Sequence, residues 1–166
     1  MTLVTLERCQ LSENGGETMG NWKILAGFEL PSQPGNERLA MEKVAGILKD
    51  FPVPQSILQR LQTAVAEATM NAMEHGNHYQ ADKPVAIQVL SDGQAVSVRI
   101  TDQGGDQSIP ENTAPDLEAK LAGLQSPRGW GLFLIEKMVD EMHVNSDADH
   151  HTIELIVRVK EGENAH

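Results

Sequence analysis

The chain has 166 residues, of which 40% are apolar, so it is long enough to bury the core of one domain. Its net charge of -11 argues against a nucleic-acid-binding protein, although one locally positive pocket on an acidic body can still hold a nucleotide. The single cysteine, Cys9, excludes an internal disulfide, and the lack of a signal-peptide pattern or a long apolar run predicts a cytoplasmic protein with no membrane span.

The first predicted elements are strands. Residues 2–11 are compatible with a strand, and a Gly-rich loop, "SENGGETMGN", follows. In "WKILAGFEL" apolar residues then alternate with more polar ones, which predicts a half-buried strand. The alternating positions are Ile24, Ala26, Phe28 and Leu30.

Two helices are expected next. Asn36 is placed to cap a helix over residues 37–49, and the prolines of "FPVPQS" end it. Ser56 is placed to cap a second helix over residues 57–75, with Gly76 as a left-handed C-terminal residue. The apolar stripe of this second helix predicts its buried face. The stripe contains Leu58, Leu61, Val65, Ala68 and Ala72.

A polar row borders that stripe in the stretch "AEATMNAMEHGN". Glu67, Asn71 and His75 are four residues apart, a spacing that stacks side chains on one face of an α-helix. The row therefore lies at the edge of the core, where a pocket can open. Taken alone, Glu67 and Asn71 are ordinary solvated helix residues, and His75 is better explained as a structural residue at the helix end than as a ligand.

A hairpin and a long loop follow. Two alternating segments flank Asp92-Gly93, a strong hairpin signal, and the second segment ends at Asp102, with Gly104 just beyond it. Residues 105–128 are polar and proline-containing, a composition typical of a lid or binding loop. "RGWGLFLIEKMVDEM" then predicts a Gly-rich turn that opens an apolar helix. A final pair of strands is expected after it, mainly in "TIELIVRVK". This order predicts an α+β fold, a two-layer sandwich with a mixed, mostly antiparallel sheet covered on one face by helices.

Together, "ExxxNAxxHG", "DxGG" and "RGxGLFLI" resemble, in that order and spacing, the motifs of the Bergerat-fold ATPases. This superfamily contains gyrase B subunits, histidine-kinase catalytic domains and anti-sigma-factor serine kinases, and the resemblance is to the last group in particular. It covers roughly residues 22–160, so residues 1–21 are expected to be an N-terminal extension and residues 161–166 a tail. Asp106 departs from the pattern, because it stands where the second glycine of the family's first glycine box falls.

The resemblance implies an ATP–Mg²⁺ site and assigns its residues. Glu67 would be the catalytic base, Asn71 the Mg²⁺ ligand and Asp102 the acceptor for the adenine amino group. The other nucleotide-binding residues implied are Gly104, Arg128, Gly129, Gly131, Leu132 and Thr152. Gly129 and Gly131 precede a helix whose free N–H groups and dipole favour phosphate oxygens. By itself, a Gly-x-Gly before a helix is weak evidence for phosphate binding and is equally explained by a tight turn into the helix.

The resemblance also implies the partners. A kinase of this group phosphorylates a serine or threonine of an anti-anti-sigma protein with a STAS-type fold and holds a sigma factor inactive, and homodimers are common among them. Two alternatives stay open from the sequence. The chain could be an adaptor or anti-sigma protein that binds ATP without transferring phosphate, or an interaction domain whose pocket no longer binds nucleotide.

Overall fold

A computed structural model describes residues 21–104 and 131–159. The predicted strand over residues 2–11, the predicted lid over residues 105–128, Arg128 and Gly129 all lie outside these ranges. The strands are β1 (Lys23–Leu30), β2 (Val85–Ser91), β3 (Ala95–Asp102), β4 (Glu141–Ser146) and β5 (His151–Arg158). The helices are α1 (Asn36–Ile47), α2 (Gln55–Asn71), a π-helical turn (Ala72–Gly76) directly after it, and α3 (Gly131–Met138).

The five described strands form one sheet in the order β1-β2-β3-β5-β4, and all four of its strand pairings are antiparallel. The predicted hairpin is confirmed, with β2 and β3 joined at Asp92-Gly93. Gly93 has a φ of 92°, a conformation that favours glycine, and Asp92 Oδ1 accepts the N–H groups of Gln94 and Ala95.

The core lies between one face of the sheet and the helices, so the predicted α+β architecture with helices on one face is confirmed. Strand alternation places one row of buried residues across the sheet: Phe28, Ile87, Ile100 and Ile153. The predicted stripe of α2 packs over them, with Leu61, Val65, Ala68 and Ala72 buried. Burying these side chains removes apolar surface from water, which is the main force that holds the two layers together.

The helix starts differ from the sequence prediction. Asn36 is the first residue of α1 rather than its cap, and its side-chain amide donates to the carbonyl of Pro31 at 2.8 Å. Gly35 is the capping residue, and the carboxylate of Glu37 accepts its N–H. Ser56 does not cap α2 either, because this helix begins at Gln55, directly after Pro54, and Ser56 is its second residue. Over the ranges that the structure covers, no helix is long and apolar enough to cross a membrane.

Candidate functional site

Glu67 and Asn71 lie in the last turns of α2, and both side chains are half-buried at the edge of the core. The predicted row of three does not continue to His75, which is exposed and lies in the π-helical turn. In this turn the N–H of Asn77 donates to the carbonyl of Ala72, five residues earlier, at 2.9 Å. The wider turn changes the angular step per residue, so the stacking expected of an α-helix ends at Asn71.

Gly76 does not have the left-handed backbone that the sequence predicted, and it is needed instead because it has no side chain. That backbone occurs just after the π-helical turn, at His78 and Tyr79, with φ values of 51° and 54°. A Cβ atom on Gly76 would overlap the carboxylate of Asp102. The end of the π-helical turn therefore packs directly against the end of β3, and only glycine permits this approach.

Gly104 is the second glycine at this point. A Cβ atom on Gly104 would overlap the carbonyl oxygen of Gly76, so the two backbones are in direct contact. The N–H of Gly104 donates to Asp102 Oδ1 at 2.9 Å. The structure thus brings the helix end and the loop after β3 together around one carboxylate, as the sequence interpretation required.

Asp102 is a buried acid, with 7% of the residue exposed. Burial raises the pKa of its carboxyl above the ordinary value of 3.8, while the N–H of Gly104 and the neighbouring His151 act in the opposite direction. His151 Nδ1 lies 3.2 Å from Asp102 Oδ1. A carboxylate held by donors in a buried position can accept a hydrogen bond from a ligand amino group with little competition from water.

Asn77 fixes this arrangement and was not predicted as a site residue. Its side chain is fully buried, and Nδ2 lies within hydrogen-bond distance of Ser32 Oγ and of the carbonyls of Lys83 and Pro84. Its Oδ1 accepts the N–H of Gln103 at 2.7 Å. One amide therefore joins the helix end to three other segments, and its position directly after Gly76 is the only sequence signal for this role.

The structure does not bring Thr152 to this cluster. Thr152 pairs with Thr101, and their hydroxyl oxygens lie 2.9 Å apart on the sheet face opposite the helices. Asp102 pairs with His151 instead, so His151 is the β5 residue beside the carboxylate. Because side chains alternate along a strand, an error of one residue in register moves a residue to the other face.

α3 begins at Gly131 and packs against α2, the helix that carries Glu67 and Asn71. Leu132 is buried in the core, so its side chain contributes to the packing of this helix. The start of α3 follows the predicted Gly-rich turn, whose Arg128 and Gly129 lie outside the described residues.

At this point Asp102 provides a buried hydrogen-bond acceptor, and the backbones of Gly76 and Gly104 pack directly beside it. Residues 21–104 and 131–159 contain no group of three or more His, Cys, Asp or Glu side chains placed to hold a metal ion.

Comparison with known proteins gives a consistent result. The model of a family described as the histidine kinase-like ATPase domain matches residues 30–157. The anti-sigma F factor of Anoxybacillus flavithermus (strain DSM 21510 / WK1) is 30% identical over 123 residues, which cover 73% of this chain and 83% of that protein. The anti-sigma F factor of Priestia megaterium is 31% identical over 119 residues, which cover 67% of this chain and 76% of that protein.

Two solved structures share the fold. The SiaB-SiaC complex from Pseudomonas aeruginosa contains a chain with a TM-score of 0.61 and 16% identity, which covers 94% of this chain and 100% of that chain. The RsbU and RsbW domains of Rv1364c from Mycobacterium tuberculosis give a TM-score of 0.58 and 18% identity, over 81% of this chain and 31% of that chain.

Proposed function

The chain belongs to the histidine kinase-like ATPase domain family, and from that membership we propose that it is an ATP-binding anti-sigma regulator with serine/threonine kinase activity. The observation that carries the proposal is the buried carboxylate of Asp102, enclosed by Gly76 and Gly104 where the end of α2 meets the end of β3. In this proposal residues 22–160 form the ATP-binding domain.

Asp102 recognises the adenine base. Its carboxylate accepts the 6-amino group, and it repels the carbonyl oxygen that guanine carries at the same position, because a carboxylate has no hydrogen to donate. Gly104 allows the backbone to approach the ring. The supporting features are the burial of the carboxylate and its position where the backbones of Gly76 and Gly104 meet.

Asn71 and Glu67 act on the phosphate side of the site. ATP bound with Mg²⁺ supplies an activated phosphoryl group, and the Asn71 side-chain oxygen would be a protein ligand of the metal. Glu67, one helical turn earlier, takes the proton of the acceptor hydroxyl or orients it. Both side chains are half-buried on the same helix. Gly129, Gly131 and the start of α3 would bind phosphate oxygens, with Arg128 adding a positive charge.

The protein partners follow from the relatives. Two similar proteins are named anti-sigma F factors, which supports binding of a sigma factor by this chain. We propose a STAS-type anti-anti-sigma protein as the phosphorylation substrate and a homodimer as the working form. Attack by a serine or threonine hydroxyl on the terminal phosphate leaves ADP and a phosphoprotein, and the hydroxyl proton passes to Glu67.

ATP binding is tested by the melting temperature of the protein with and without ATP and Mg²⁺. At a free concentration of 100 Kd, the ligand should stabilise the folded state by about 2.7 kcal/mol. An unchanged melting temperature at millimolar ATP would reject the nucleotide site and favour an interaction domain.

Phosphoryl transfer is tested with labelled ATP, Mg²⁺ and a STAS-type protein encoded beside this chain. Glu67→Gln should abolish label transfer while ATP binding persists, because the amide keeps the shape but cannot take a proton. Glu42→Gln makes the same change on α1 and is the matched control. ATP binding without transfer by the unmodified protein would favour the non-catalytic adaptor.

A further inference from the structure

His151 is the first residue of β5 and lies opposite Asp102 in the sheet register. Only 6% of the residue is exposed, so its imidazole is among the few buried polar side chains in the described ranges. It lies on the helix-covered face, because its neighbours Thr152 and Thr101 contact each other on the opposite face. The catalytic and metal-binding roles proposed above make no use of this histidine.

Asp102 Oδ1 accepts the N–H of Gly104 at 2.9 Å and lies 3.2 Å from His151 Nδ1. The backbone N–H of His151 also donates to this carboxylate. The terminal torsion of an aspartate is otherwise broad. Donors from the loop after β3 and from β5 therefore fix the rotation of the carboxylate plane.

We propose that His151 is a positioning residue that orients Asp102 and thereby determines the preference of the site for a purine with a 6-amino group. The inference rests on the proposed ATP site. In the form that carries a hydrogen on Nδ1, His151 donates to Oδ1 and so fixes the orientation in which the carboxylate meets the base. The same contact opposes the rise in the pKa of Asp102 that burial causes.

The test compares ATP with purine riboside triphosphate, which lacks only the 6-amino group. Dissociation constants for both are measured by calorimetry for the unmodified protein and for three variants. His151→Phe keeps the ring but removes the donor, His151→Asn keeps a donor near the position of Nδ1, and His143→Asn changes an exposed histidine on β4 as the control. Urea unfolding of each variant confirms that it is folded, and His151→Leu replaces the Phe variant if that protein does not fold.

The unmodified protein should prefer ATP by about 10- to 100-fold, the range expected for one hydrogen bond to a charged group. His151→Phe should reduce this preference to less than about threefold by weakening ATP, with purine riboside triphosphate little changed. His151→Asn should retain most of the preference, and His143→Asn should retain all of it.

A purely structural role for His151 would weaken both nucleotides equally and leave their ratio unchanged, which would overturn the inference. The ratio also separates this failure from failure of the proposed function. An unmodified protein that binds neither nucleotide rejects the ATP site itself. An unmodified protein that binds both equally keeps the ATP site but rejects amino-group recognition by Asp102, and the role of His151 with it.

Discussion

β3 has an aspartate and a glycine at each of its ends, and the two pairs are used differently. At the start of the strand, Asp92 accepts the N–H groups of Gln94 and Ala95 at 2.8 Å each, and Gly93 adopts a φ of 92°. All of these contacts lie within four residues of chain. A Cβ on Gly93 would meet nothing within 4 Å, so this glycine is needed for its backbone conformation and not for space.

At the far end of β3 the contacts are long-range. Asp102 also accepts a nearby N–H, from Gly104, but its carboxylate is enclosed by Gly76 and His151 from distant parts of the chain. Gly104 has no positive φ and is needed because the carbonyl of Gly76 occupies the space of a side chain. One end is a turn that forms locally, and the other is a site that exists only after the helix and both strands have packed.

The difference has an energetic consequence. A half-buried aspartate in a turn, such as Asp92, keeps part of its hydration and gains hydrogen bonds at little cost. A buried carboxylate loses hydration that its donors replace only in part. The raised pKa of Asp102 reports this cost. A group that costs stability can be retained where binding requires it. The stability of the end of β3 at Asp102 (the site end) should therefore depend on long-range partners, which the end at Asp92 (the turn end) lacks.

The largest expected effect is at Asn77, which holds the site end together. Asn77→Ala leaves the buried N–H of Gln103 without its acceptor, at a cost of about 1–3 kcal/mol. It also removes a donor from Ser32 Oγ and from the Lys83 carbonyl, which keep their hydrogen bond to each other at 2.6 Å. We expect the free energy of unfolding, measured in urea, to fall by about 3 kcal/mol, because the unsatisfied N–H adds to the loss of these other hydrogen bonds.

Asp92→Ala is the control at the turn end. It removes local hydrogen bonds at a half-buried position where water can replace them, so the loss should be about 1 kcal/mol or less. Equal losses for Asn77→Ala and Asp92→Ala would contradict the distinction between a local turn and a packed site.

The next effect distinguishes a glycine needed because it has no side chain, Gly76, from one needed for its backbone conformation, Gly93. Gly76→Ala forces a methyl group into the Asp102 carboxylate, which should cost about 1–3 kcal/mol and remove the stabilisation by ATP. Gly93→Ala should cost about 1 kcal/mol through its left-handed backbone and keep that stabilisation. Melting temperatures with and without ATP measure the stability of each variant and its stabilisation by ATP. If Gly76→Ala is still stabilised by ATP, the contact between Gly76 and Asp102 is not part of the nucleotide site.

The smallest expected effect is on the pH dependence of stability. Because the folded pKa of Asp102 is raised, the folded state binds this proton more tightly than the unfolded state does. Stability from this group is therefore lost as pH rises from the ordinary value of 3.8 through the raised folded pKa, and it stays constant above that pKa. Asp102→Asn should remove this loss, so its stability relative to the unmodified protein should increase with pH across that window.

Urea unfolding at a series of pH values measures the effect, and Asp92→Asn makes the same chemical change at the exposed turn. A difference between Asp102→Asn and the unmodified protein that does not vary with pH would contradict the assignment. Above the window, Asp102→Asn should be at least as stable as the unmodified protein and yet bind ATP more weakly.

Local signals in the sequence were enough for the elements and for part of the site. Alternating apolar residues and Asp92-Gly93 predicted the hairpin, and the stripe of α2 predicted its buried face, because both depend on neighbours close in sequence. Spacing and motif order also placed Asp102 and Gly104 beside the end of α2, where the structure has them.

The rest depended on contacts that no local pattern encodes. The choice of His151 rather than Thr152 beside Asp102 follows from the register between β3 and β5. The four polar partners of Asn77 come from three separate segments. Gly76 matched a common helix-ending pattern, but the space it provides became visible only against the packed carboxylate.

The π-helical turn that follows α2 has a different angular step per residue from the α-helix before it. Glu67 and Asn71 follow the α-helical step of about 100° per residue, and the wider turn then sets the direction of Gly76 and Asn77 independently. The number of residues between Asn71 and Gly76 is consequently fixed, even though His75 within it is exposed. Homologous chains should tolerate many side chains at that exposed position and no insertion or deletion around it, since a shift of one residue would rotate the glycine away from its carboxylate.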